Sequence, residues 1–160
     1  MIGLEFLEKV EIFRGLNQEQ LTEILKCCEE KEFQKEAGLF EKGQDAEYLW
    51  IVMAGKVDLR LDFPGLASSE ENTISSISET GAFGWSAIVS PNKYRLSGYC
   101  TGEGCKLIRV NRKSLLELFQ KDSDIGYVVM SNLAGVVGTR FHNLQEEAVR
   151  RRGQDMLGGW

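Results

Sequence analysis

The sequence predicts a mainly β protein with flanking helices, an antiparallel double-stranded β-helix (jelly roll) followed by one long C-terminal helix. Three observations lead there. Residues 56–63 alternate strictly: Val57, Leu59, Leu61 and Phe63 are apolar, while Lys56, Asp58, Arg60 and Asp62 are charged. That is the period-two pattern of a strand with one buried and one solvated face. Glycine is abundant, at 17 of 160 residues, about 11% against a usual ~7%, and it punctuates short apolar runs as turns do. Beyond Ser123 the period lengthens. Tyr127, Met130, Ala134, Val137, Phe141, Leu144 and Ala148 recur at alternating spacings of three and four, the seam of a coiled-coil-like helix.

The elements follow in order. Leu4, Phe6, Leu7 and Val10 predict a short amphipathic helix ending near Gly15. Asn17, with Gln20 three residues on, is a capping-box pair. It opens a helix over residues 18–29 whose apolar face is Leu21, Ile24, Leu25 and Cys28. Residues 49–53 read as a fully apolar strand, Ala54-Gly55 as a turn and 56–63 as the next strand. Residues 62–72 form a polar loop with Pro64 and Gly65. Strands are expected at 95–100 and 106–110, joined by a turn at Gly102-Glu103-Gly104. Asn111 is a second N-cap, ahead of a short helix carrying Leu115, Leu116, Leu118 and Phe119. The long helix then runs from Ser123 to about Arg150. Val129, Leu133 and Val136 form a second apolar stripe beside the seam, so the helix is expected to pack on its own sheet and on a partner helix; one broad core-facing stripe is the alternative. Gly135 and Gly138 lie on a third face with Ser131 and His142, which points to a close approach or to plain tolerance of glycine. The resulting division is a jelly roll with its helices over residues 1–122, a dimerisation or lid helix over 123–152 and a flexible tail over 153–160.

Composition narrows the chemistry. Apolar residues make up 42% and charged residues 27% of the chain, as in an ordinary globular domain. No apolar run approaches the ~18 residues of a membrane span. The net charge of −5 argues against nucleic-acid binding by this chain alone and against an anionic membrane surface. Glu5, Glu8 and Lys9 stand where a secretory leader would be apolar, so a cytoplasmic location is expected, with Cys27, Cys28, Cys100 and Cys105 as free buried thiols. His142 is the single histidine, which excludes a multi-histidine metal centre. With no nucleophile elbow and no identifiable carboxylate pair, an enzyme is not expected.

The segment from Phe40 to Val57, with Gly43, the apolar run Leu49-Trp50-Ile51-Val52-Met53 and Gly55, resembles the cyclic-nucleotide-binding domain family, which includes catabolite-activator-type regulators, kinase regulatory subunits and gated channels. Gly81-Ala82-Phe83-Gly84-Trp85-Ser86-Ala87-Ile88, followed by Arg95-Leu96-Ser97, is similar to that family's phosphate-binding cassette. The resemblance covers roughly residues 6–148. It implies a ligand site made by Gly84, Trp85, Ser86, Ala87, Arg95, Leu96 and Ser97. Gly84 admits close backbone approach, the turn after it offers N–H groups to an anion, Ser86 adds a hydroxyl, and Arg95 neutralises a phosphate.

Two positions depart from the family. Members that bind cyclic nucleotides usually carry a glutamate after the second cassette glycine, where it accepts the ribose 2′-hydroxyl; this chain has Trp85, whose indole only donates. The hydroxyl that often follows the arginine falls one place later, at Ser97, with Leu96 between. Three outcomes stay open: a cyclic nucleotide in an altered pose, another small anionic or aromatic ligand, or a ligand-free structural and dimerisation module. The resemblance further implies a regulatory sensor that signals through its C-terminal helix to an effector. The expected partner is a second copy, met through Met130, Val137, Phe141 and Leu144. The helix-turn-helix domain that follows this helix in catabolite-activator-type regulators is not expected in this chain.

Overall fold

The computed structural model describes residues 1–158. The chain opens with α1 (Leu4–Lys9), a 3-10 turn (Glu11–Phe13) and α2 (Gln18–Leu25). The Asn17 capping box is present in both directions, with the Asn17 side chain accepting from Gln20 N–H at 2.9 Å and the Gln20 side chain accepting from Asn17 N–H at 2.9 Å. Together they satisfy two of the donors that a helix start leaves free. The six strands are β1 (Cys28–Phe33), β2 (Gly38–Phe40), β3 (Tyr48–Arg60), β4 (Thr73–Ile77), β5 (Ala82–Phe83) and β6 (Ser97–Asn111). They pair antiparallel in the order β1-β6-β3-β4, with β2 also on β6 and β5 on β3. This is the expected antiparallel roll with flanking helices.

Several boundaries differ from expectation for identifiable reasons. The second helix stops at Leu25, and Cys28 to Phe33 is a strand despite its charges. Glu29 pairs with Arg109 at 2.7 Å, and Glu30 with the N-terminal amine at 2.9 Å and Lys106 at 3.5 Å, so the charged side chains of this sheet-edge strand find partners across the pairing. Gly55 is a bulge inside one long strand rather than a hairpin turn. Between the pairs Ala54↔Lys106 and Lys56↔Thr101, β3 advances two residues and β6 five. The glycines at 102 and 104 form the opposing bulge, where a hairpin had been expected. Bulging together bends both long strands and rolls the sheet. The same bulge folds residues five apart into contact, and Cys100 and Cys105, with Cα atoms 5.9 Å apart, form a disulfide in place of the expected free thiols. Cys27 and Cys28 remain free, and burial pushes the Cys28 thiol up to about 12.

The strand at 56–63 ends at Arg60, and Phe63 is exposed in the following loop. Its charged face is solvated only in part: Lys56 is exposed and Asp62 half-buried. Asp58 and Arg60 are buried: Asp58 accepts from the Ser76 hydroxyl at 2.6 Å, while Arg60 donates to Ser68 at 3.3 Å and lies 4.5 Å over the Tyr99 ring. Arg60 is only partly satisfied: its Nη2 lies 3.6 Å from Glu36 and 3.7 Å from Asp58, and neither Nε nor Nη2 makes a hydrogen bond, a cost that the nearby carboxylates offset only in part.

Helix α3 (Arg112–Lys121) starts at Asn111, whose side chain accepts from Ser114 N–H at 3.0 Å. Helix α4 (Ser123–Gly158) follows. Ile125, Val129 and Leu133 are its buried residues, and the Asn132 amide donates to the carbonyls of Ile12 and Arg14 at 3.1 and 2.8 Å. The seam is a separate stripe that faces out: Tyr127, Met130, Phe141 and Leu144 are exposed. At Gly135 and Gly138 a Cβ would meet no atom within 4 Å, so nothing among the described residues presses on the helix there. The helix continues past residue 152 to Gly158, since one glycine at 153 costs only ~1 kcal/mol in a helix; the expected tail at Gly159 and Trp160 lies outside the described residues. Among the described residues no helix is long and apolar enough to cross a membrane.

The bulge yields a paired prediction. Gly55 and Gly43 both have positive φ, +85° and +91°, but a Cβ at Gly55 would lie 2.6 Å from the Gly104 carbonyl, whereas at Gly43 it would meet nothing within 4 Å. Gly43→Ala should cost roughly 1–2 kcal/mol, the left-handed penalty alone, and Gly55→Ala about 3 kcal/mol or more. Urea unfolding at fixed protein concentration measures both, and equal losses at the two sites would contradict the bulge as described.

Candidate functional site

The site is built on an aromatic floor. Phe40, Trp50, Phe83 and Tyr94 are buried together. Phe40 stacks on Tyr94 with centroids 3.8 Å apart, and Trp50 on Phe83 at 6.1 Å. The Trp50 indole N–H donates to the Tyr94 hydroxyl at 3.2 Å, and that hydroxyl donates to the Tyr48 carbonyl at 2.6 Å. Burial raises the Tyr94 pKa above the usual phenol value, against the lowering effect of these two bonds. The phenol therefore stays protonated as the donor to Tyr48.

Over this floor the chain leaves β5 and turns at Gly84, which has φ +71° and ψ +32°. A Cβ there would sit 3.0 Å from Trp50 Cδ1 and 3.2 Å from Tyr94 Cε1. Glycine is thus required both by the left-handed backbone and by the packing beneath it. The single 3-10 turn Trp85–Ala87 follows. Its far end is secured by Asn92, itself left-handed at φ +63°. The Asn92 amide donates to the carbonyls of Ser86 and Ala87 at 3.0 and 3.3 Å and accepts from Arg112 Nη2 at 3.1 Å.

The residues singled out in the sequence are distributed as follows. Gly84, Trp85, Ser86, Arg95 and Leu96 line one small pocket with Phe40, Leu59 and Tyr94. Arg95 is the one charged residue of that lining and is exposed. Ala87, expected at the site, is fully buried, with its N–H bonded to the Gly84 carbonyl at 3.2 Å and its carbonyl accepting from Asn92 at 3.3 Å, so it supports the turn and does not line the pocket. Ser97 is also buried, and its hydroxyl accepts from Lys42 N–H at 3.0 Å. It borders a neighbouring cleft of about 560 Å³ with Asp62 and Tyr99 rather than this pocket. The pocket itself encloses about 80 Å³, well below the ~300–1,000 Å³ of small-molecule sites.

Trp85 lines a second cavity besides this pocket. It is an apolar groove of about 430 Å³ also lined by Val89 and by Met130, Leu133, Ala134, Val137, Gly138 and Phe141 of α4. The Arg140 guanidinium lies 5.0 Å from the Trp85 ring centroid. Its Nη2 donates to the Ala82 carbonyl at 2.6 Å and reaches Glu11 Oε1 at 3.3 Å. The same Glu11 oxygen accepts from Ala82 N–H at 2.8 Å. Burial lowers the Arg140 pKa, against the raising effect of Glu11.

Sequence reasoning did not find Tyr94, Asn92, Glu11 or Arg140. For Arg140 a signal existed: it continues the stripe Val129, Leu133, Val136 by one more helical step, and an arginine ending an apolar stripe has to meet a partner at the protein surface. Tyr94 and Asn92 act through contacts made only once the loop closes.

Comparisons with known proteins bear on the family and the fold. The family model "Cyclic nucleotide-binding domain" matches residues 30–122, which hold the pocket and stop short of α4. Among solved structures, a candidate cyclic nucleotide-binding protein from Geobacter metallireducens GS-15 is 28% identical, with a TM-score of 0.76 over 89% of this chain and 100% of that one. The catabolite activator protein of Thermus thermophilus is 20% identical, with a TM-score of 0.69 over 86% of this chain and 61% of that one. The regulatory domain of Toxoplasma gondii PKA, crystallised with cAMP, is 19% identical, with a TM-score of 0.61 over 71% of this chain and 42% of that one. No curated protein matches the chain.

The hydroxyl shared by Trp50 and Tyr48 gives a test of the floor. Tyr94→Phe keeps the ring stack but leaves the buried Trp50 N–H without an acceptor, at a cost of about 1–3 kcal/mol. Urea unfolding should show that loss, and a stability equal to the parent's would contradict the bonded floor.

Proposed function

This chain belongs to the cyclic nucleotide-binding domain family, and on that premise we propose that it is a regulatory sensor module that binds a small phosphate-bearing ligand and signals through α4. The observation that carries the reading is the pocket lining, in which Arg95 is the single charge, exposed and unopposed by any lining carboxylate. An arginine so placed is available for a charge-assisted contact with an anion, and Ser86 beside it supplies a hydroxyl. A cyclic nucleotide is the first ligand to try. Trp85 stands where an acid would take the ribose hydroxyl, so the sugar would have to be held by packing rather than by that bond. The small pocket volume favours a second reading, a structural module without a ligand.

The output side of the proposal rests on α4. All residues from 141 to 158 are exposed, a segment about 27 Å long at 1.5 Å per residue with no support from its own domain. Its apolar side chains Phe141, Leu144 and Val149 are left exposed. A second copy, packed along Met130, Val137, Phe141 and Leu144, would supply the missing contacts and carry the helix position to an effector.

Two measurements test these points. Arg95→Ala should weaken cAMP binding ~10–150-fold in titration calorimetry, since hydrogen bonds to charged groups contribute roughly 1.5–3 kcal/mol and each ~1.4 kcal/mol is a decade. Unchanged affinity would remove Arg95 from the site, and a parent that binds neither cAMP nor cGMP would favour the ligand-free reading. Phe141→Asp should convert a dimer to monomers in sedimentation. A parent that is already monomeric at micromolar concentration would end the dimer proposal.

A further inference from the structure

Trp85 borders two cavities at once, the pocket of about 80 Å³ and the apolar groove of about 430 Å³ under α4. The pocket is too small for a nucleotide-sized ligand, whereas the two joined fall within the ~300–1,000 Å³ of small-molecule sites. The joined space would have Arg95 at one end and Leu133, Ala134 and Gly138 of α4 at the other, beside the seam residues Val137 and Phe141. A compact anion attached to a flat apolar body fits that polarity.

Trp85, the residue common to both linings, is pinned from α4. Arg140 lies 5.0 Å from its ring centroid and is itself tied to the Ala82 carbonyl at 2.6 Å and to Glu11 at 3.3 Å. Ala82 is only three residues before Trp85 in the chain, so helix and cassette are held at the point where the indole would have to move. The hold is incomplete. Arg140 Nη1 is buried without a hydrogen-bond partner, and a buried donor left unpaired is costly. Releasing α4 would return that donor to water, which offsets part of what the latch contributes.

We propose that Trp85 is a gate between the cassette pocket and the groove, held shut by Arg140, and that ligand entry swings the indole and frees α4 in one event. The proposal rests on the anion-site reading above. Any ligand that needs the open form is bound more weakly in proportion to the closed fraction, so breaking the latch should tighten binding.

Labelling with 5-fluorotryptophan tests this directly, with the Trp85 signal assigned by its loss in Trp85→Phe. In Arg140→Gln the Trp85 ¹⁹F resonance should move toward that of a solvent-exposed indole, and cAMP should bind at least tenfold tighter in calorimetry, about 1.4 kcal/mol. Arg140→Lys keeps a charge beside Glu11 but loses the planar fork that reaches the Ala82 carbonyl and the ring together, and should tighten cAMP binding likewise, even if Arg140→Gln folds poorly. An unmoved Trp85 resonance in folded Arg140→Gln overturns the gate. So does cAMP affinity that is unchanged or lower in both variants of a parent that binds cAMP. A freed indole with no cAMP binding by parent or variants upholds the latch and instead removes the anion-site reading.

Discussion

At Gly84 the backbone turns left-handed while its Cα presses on the indole of Trp50 and the ring of Tyr94, where an added Cβ would lie at 3.0 and 3.2 Å. Any side chain here would have to lift the turn off its aromatic floor. The positions of Trp85, Ser86 and Arg95 all follow from that close approach. Trp85 is placed against α4 because the turn sits low, and Arg95 comes to the pocket rim because the chain returns past Asn92, which ties the turn to the start of α3 through Arg112. The floor is held in turn by the bond from Trp50 to Tyr94 and on to Tyr48, so a hydroxyl on the loop fixes two residues of the central strand.

Sheet and helices meet around one carboxylate. Glu11, from the N-terminal 3-10 turn, accepts from Ala82 N–H and from Arg140 with the same oxygen. Three segments far apart in sequence therefore share a contact at the edge of the cassette. Hydrogen bonds to charged groups contribute roughly 1.5–3 kcal/mol each, a large share of the few kcal/mol that separate alternative arrangements of a domain. Coupling between pocket and helix needs such a contact, because a ligand shifts an equilibrium only as far as its interactions differ between the two states. Under the proposed sensor reading, the exposed seam beyond residue 140 is the part of the molecule on which that shift would act.

Much of this was legible in the sequence, and the gaps have physical causes. The caps at Asn17 and Asn111 were readable because a helix start is a local event. The pocket residues Gly84, Trp85, Ser86 and Arg95 were readable through the resemblance of their spacing. Gly55 and Gly102-Glu103-Gly104 were read as turns because a bulge and a turn make the same local demand for positive φ. Only the partner strand distinguishes them, and here the two bulges face each other. The strand Cys28–Phe33 was hidden by its charges, which are satisfied by Lys106 and Arg109 some 80 positions away. Asp58 and Arg60 looked solvated for the same reason, since Ser76 and Tyr99 bury them only after the sheet forms. Arg140 was visible as a charge continuing an apolar stripe, but its role depends on where Trp85 lies.

The central claim is that pocket and helix form one coupled unit. Backbone hydrogen–deuterium exchange, with and without saturating cAMP, tests it most directly. The account predicts that exchange changes together in residues 82–89 and residues 136–144, with slower exchange in the cassette and altered protection along the helix. A change confined to the cassette, with the helix segment indifferent to a bound ligand, would contradict it.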